Sequence, residues 1–178
     1  IVMANQKLTD KTELAEQAGS GDLLMVVDVS DTTGSSAGTS KKQDFKYVIQ
    51  TDKISVSNAE AQALNSSPKT LVGALSGYMI TVFNVTVITT YASSTETSNS
   101  NLYLGYDTSQ TTRYYGVSSR FMGSQTTSNT YMYGGEQSTH GVKSSSIINS
   151  PFSMWSSGAF NGGWSADVYV TYAYTKVL

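Results

Sequence analysis

A chain of 178 residues, 39% of them hydrophobic, can fill one substantial core, or a small module beside a larger one. Its net charge of −2 offers no basic field for nucleic acid or anionic lipid. The absence of cysteine excludes disulfides, thiolate zinc sites and thiol catalysis.

No apolar run approaches the roughly 18 residues of a membrane span, so no membrane insertion is expected. The N-terminus lacks the basic-then-apolar layout of a signal peptide. Met3 reads as the initiator, with Ile1 and Val2 as extra leading residues. Ser and Thr together supply about fifty residues, beside 12 Tyr and only 2 Pro. That mixture favours twisted strands joined by polar turns over a helical bundle, which wants Ala, Leu, Glu and Lys.

In chain order, Lys7 to Gln17 carries short helix or turn signals, with Thr9 or Asp10 as N-cap and Glu13 behind. Leu23 to Val29 reads as a buried strand, 31–40 as a flexible hairpin or loop, and Asp44 to Gln50 as a second strand. A helix is expected over about 57–65, with Ser57 as cap and Glu60 in the capping-box position, ended by Pro68. Strands follow over 78–89, 101–106, 112–122, 129–134 and 166–177, separated by polar turns. The first of these is apolar on both faces and so is expected to be buried. In the last, Val168, Val170, Tyr172 and Tyr174 share one face at period two.

The chain changes character near residue 75. Residues 1–75 hold 16 of the 24 charged residues but only two aromatics, Phe45 and Tyr47, whereas 17 of the 19 aromatics lie beyond. The expected organisation is all-β. It comprises a small β/helical module over 1–56, a short helical connector over 57–75, and an antiparallel, jelly-roll-like β-sandwich over 76–178.

Chemistry is sparse. His140 is the only histidine and stands in no nucleophile-elbow pattern. Asp28 and Asp31 flank a strand end, either as oxygen ligands for calcium or as a hairpin tip whose lysines guard an edge. A glycosidase pair would have to come from Glu96, Asp107, Glu136 and Asp167, and nothing links any two. No enzyme activity, cofactor or metal is therefore expected. Tyr114, Tyr131, Trp155 and Trp164, near Ser, Asn and Gly, are candidates to stack on sugar rings of a host-surface glycan; the competing role is in the core or a subunit interface.

Residues 7–50 carry a recurring pattern: Leu8-Thr9, Thr12-Glu13-Leu14, Gly21-Asp22 before Leu23 to Asp28, then Ser40-Lys41-Lys42 and Phe45 to Ile49. It resembles the N-terminal segment of tailed-bacteriophage fibre and appendage proteins. The resemblance implies a virion-proximal base, a connector and a distal β-domain, commonly in a homotrimer, at the virion surface and in contact with capsid, vertex or tail protein. On that basis Leu23, Met25, Val27, Lys41, Lys42, Phe45 and Tyr47 are the candidate attachment residues. The near absence of a shaft fits a head fibre, spike or decoration protein better than a long tail fibre.

Overall fold

The computed structural model describes residues 23–34, 36–44, 48–106, 114–134 and 147–177. The chain divides into two compact units, residues 1–46 and 47–178. The helix or turn expected over 7–17, together with Phe45, Tyr47, Asp107, Glu136 and His140, lies outside the described residues.

In the first unit, β1 (Leu23–Asp28) and β2 (Thr39–Asp44) form a two-stranded antiparallel hairpin. Two expectations change here. The strand that pairs with β1 is the lysine-bearing stretch 39–44, ahead of the expected 44–50, part of which lies outside the described residues; the register pairs Asp28 with Thr39 and Leu24 with Gln43. And β1 is not buried: Met25 is 68% and Val27 58% exposed. Among the described residues no second layer covers this two-stranded sheet, and such hairpins are marginal on their own in water.

The second unit is a sandwich of two four-stranded antiparallel sheets. One runs β3 (Gln50–Val56), β10 (Trp164–Lys176), β5 (Tyr78–Tyr91), β8 (Thr130–Gly134). The other runs β4 (Lys69–Val72), β9 (Phe152–Ser156), β6 (Leu102–Gly105), β7 (Tyr114–Ser118). Counting these eight strands in turn, the sheets are first-eighth-third-sixth and second-seventh-fourth-fifth, which is the jelly-roll order. The fold is all-β, as expected.

The central strand β10 shows why. Trp164, Ala166, Val168, Val170 and Tyr172 are buried, and the residues between them are partly exposed. They meet Val85 and Val87 of β5, Leu102 and Leu104 of β6, and Phe152 and Met154 of β9 in one core. Full burial of a valine or leucine side chain contributes about 1.5–3 kcal/mol, so this face alone outweighs any local preference.

The composition boundary near residue 75 is not a structural one. β3 pairs with β10 over seven residues, from Gln50↔Tyr172 to Val56↔Ala166, so the sandwich is already under way at residue 50. The expected connector is part of it. Helix α1 (Asn58–Ala63) is capped by Ser57 with the reciprocal Glu60 box, as expected, and Asn58 Nδ2 donates to the carbonyls of Gly162 and Trp164 at 2.9 Å each. β5 also departs from expectation. Its inner face is buried, but Phe83 and Ile88 are exposed, Phe83 being the extra residue where the register with β10 shifts.

Candidate functional site

The hairpin register sorts the attachment candidates onto two faces. Met25 pairs with Lys42 and Val27 with Ser40, so these four share one face, and the side chain of Leu23 lies outside the described residues. Lys42 is exposed there and has no ion-pair partner among the described residues. Lys41 pairs with Val26 and so belongs to the other face. Its ammonium is bound by Asp28 at 3.0 Å and Asp31 at 2.8 Å. Lys41 is therefore a clasp of the hairpin tip, on the face opposite Met25, Val27 and Lys42.

The tip satisfies itself. Ser30 donates to Asp28 through both N–H (3.1 Å) and hydroxyl (2.6 Å), and Thr33 does the same to Asp31 at 3.0 and 2.6 Å. The Ser30 hydroxyl and then Lys41 hold the Asp28 pKa down at about 2; Lys41 and then Thr33 do the same for Asp31. Lys41 is raised in return, first by Asp31 and then by Asp28. Where a calcium ion would need these two carboxylates, an ammonium already sits between them. Gly38, at φ 114°, closes the turn, since a Cβ there would lie 2.8 Å from the Asp28 carbonyl oxygen.

The described aromatic candidates are buried or half-buried. Trp164 is 1% exposed and packs on Phe121 and Phe160; Trp155 is 5% exposed and stacks on Tyr103 with centroids 5.6 Å apart. Tyr131 lies half-buried against Phe121. A ring enclosed by protein offers no face to a sugar, so Trp164 takes the core role, and Trp155 is enclosed as well, on the opposite face of β9 from the core residues Phe152 and Met154. The side chain of Tyr114 lies outside the described residues.

The two described carboxylates of the glycosidase set do different work. Glu96, 1% exposed, accepts from the N–H groups of Ser98, Asn161 and Gly162 at 2.8–3.3 Å and from the Trp164 indole at 3.3 Å. Burial pushes its pKa up, but the hydrogen bonds from Ser98, Gly162 and Trp164 outweigh that and leave it lowered. Asp167 stands on the outer face of β10, bound by Lys53 at 2.8 Å and Ser55 at 2.7 Å, which lower it. It borders an open cleft of about 470 Å³, absent from the sequence reading, whose lining includes Ser55, Asn58, Glu60, Thr90 and Ser165. Glu60 is likewise neutralised, held at about 2 first by Lys69 and then by Ser57. Such a cleft can hydrogen-bond a polyhydroxylated ligand, but it holds no carboxyl free to shuttle a proton.

No protein-family model matches the chain. No curated protein is similar to it. Among solved structures, a chain of the cyanophage Pam1 capsid asymmetric unit aligns over 97% of this chain and 99% of its own, at 16% identity and a TM-score of 0.38. A TM-score of that size is below the level that marks a shared fold.

Proposed function

We propose that this chain is a non-enzymatic structural protein of a bacteriophage particle: a short homotrimeric fibre, spike or decoration protein at the virion surface. Its N-terminal module holds it to capsid, vertex or tail protein, and the jelly roll is displayed outward. The observation that carries this reading is the hairpin face of Met25, Val27 and Lys42. It sits inside the fibre-like segment 7–50 and leaves two large apolar side chains more than half exposed. A small sheet that cannot bury its own apolar residues gains most from a partner surface. The absorbed carboxylates of the sandwich support a structural rather than a hydrolytic role.

The test is particle incorporation of the full chain carrying Val27→Asp, with Thr33→Ala at the hairpin tip as control. Loss of incorporation with an unchanged melting temperature of the sandwich is expected for Val27→Asp alone. Normal incorporation would sink the attachment reading.

A second reading, recognition of a host-surface glycan, is favoured by the hydroxyl-lined cleft beside Asp167. It predicts saturable binding of host polysaccharide that is weakened at least tenfold by Asp167→Ala and Ser165→Tyr, and left alone by Val27→Asp.

A further inference from the structure

The sheet β3-β10-β5-β8 has two edges built differently. β3 carries Asp52 and Lys53, charges that discourage pairing with another strand. β8 reads Thr-Tyr-Met-Tyr-Gly, with neither charge nor proline, and pairs only with β5 among the described residues. β7, the edge of the other sheet, is also uncharged, but its pairing is broken by a register shift at Leu104/Gly105, which blunts an edge.

The backbone of β8 can be assigned direction. The Thr89 N–H donates to the Asn129 carbonyl at 2.8 Å, one step beyond the Ile88↔Thr130 pair. In an antiparallel ladder the bonded residues alternate, so Asn129, Tyr131 and Tyr133 turn their backbone groups toward β5. Those of Thr130, Met132 and Gly134 therefore point away from the sheet. The side chains alternate between the two faces of the sheet: Tyr133 is buried and Tyr131 half-buried, while Met132 is 77% exposed. A Cβ built on Gly134 meets nothing within 4 Å, so the outer face at that end of the strand is open.

We propose that β8 pairs with β8 of a second copy of this chain, antiparallel and two-fold about Met132. The occupant is a second copy because the edge is self-complementary. Tyr131-Met132-Tyr133 reads the same in both directions, and a register centred on Met132 sets Thr130 opposite Gly134, and Met132 opposite its own copy. All three are residues whose N–H and C=O face outward, so every outward group of the strand finds its partner. A register displaced by one residue would set inward-facing groups against outward-facing ones. The two Met132 side chains would then lie side by side on the outer face, each with Thr86 directly across on β5 and the exposed Ile88 on the diagonal.

Five paired residues and one methionine pair cover well under the roughly 800 Å² per partner of a standing interface. The contact is therefore weak and concentration-dependent, filled where copies are crowded. A two-fold contact also coexists with a three-fold assembly, giving six chains in D3 symmetry. It needs no particle, so it is independent of the virion reading.

The chain has no cysteine, so one introduced thiol reports cleanly. Opposed residues in a bonded antiparallel pair have Cα atoms about 5.5 Å apart, within disulfide range. Full-length Met132→Cys is expected to form a disulfide-linked dimer under mild oxidation at least tenfold faster than Ile88→Cys, which would lie three strand spacings from its copy. Sedimentation should show concentration-dependent pairing (two chains, or six if trimers associate) that Met132→Lys abolishes without changing the melting temperature. Equal crosslinking of the two thiol variants, or a mass that Met132→Lys leaves unchanged, would overturn the proposal.

Discussion

Glu96 is the residue on which one end of the sandwich closes. Its carboxylate receives N–H groups from the loop after β5 and from the loop before β10, and the indole of Trp164 besides. Removing it orphans several buried donors, each worth about 1–3 kcal/mol, though not additively. Glu96→Ala is expected to destabilise the fold by roughly 3 kcal/mol in urea unfolding, with unchanged native mass. Because the folded pKa lies below the unfolded one, this stabilisation is complete above the usual carboxylate range. It is lost as pH falls through the lowered folded value. Glu96→Gln should therefore be less stable at pH 7 and show a shallower fall in stability between pH 5 and 3 than the parent chain. The neighbouring Gly163 is equally constrained, since a Cβ there would strike the Ser93 hydroxyl and sit 2.9 Å from the Ser94 nitrogen. Gly163→Ala should lower the melting temperature, at a cost of about 1–3 kcal/mol.

Among elements, the hairpin and β10 show opposite relations between sequence and burial. β10 alternates because one face is pressed into a core and the other borders water, and that alternation is legible in the sequence. β1 is the most apolar six-residue strand of the first unit, yet it lies open, because hydrophobicity says a surface wants covering without saying that the chain covers it. The clasp of Lys41 with Asp28 and Asp31 was hidden for another reason: the hairpin register, not chain proximity, brings residue 41 beside residues 28 and 31. It makes a direct prediction for titration by NMR. Both carboxylates should titrate near 2 in the parent chain, and both should rise toward the unperturbed value of about 3.9 in Lys41→Ala. The stabilisation they lend the tip is present above that unperturbed value and fades as pH falls through about 2.

For the molecule as a whole, the position of the unit boundary separates two expectations. A cut at the composition break, or at residue 56, removes β3 and exposes the flank of β10 that β3 covers. A cut at 46/47 leaves both sheets complete. The fragment 47–178 is expected to melt cooperatively at the temperature of the parent sandwich, whereas 57–178 should be aggregated or unfolded in circular dichroism and size exclusion. Equal stability of the two fragments would mean that β3 contributes nothing to the fold. Light scattering of the full chain and of 47–178 then tests the trimer: three chains in both would place that assembly in the jelly roll.

Strand-forming composition, turn chemistry and period-two patterning are local properties, so the all-β class, the capping box at Ser57 and Glu60, and the buried face of β10 could be read from the chain itself. What only tertiary structure decided were matters of pairing between residues distant in sequence. β9 was missed because all five of its residues are buried and none alternates. For Trp155 and Trp164 the sequence leaves the ligand and core roles both open, because an aromatic ring suits a sugar and a core alike, and only the tertiary enclosure of each ring chooses. The join of residue 50 to residue 172 drew β3 into the sandwich across more than a hundred residues, a choice made by core burial and by hydrogen bonds that no local signal carries.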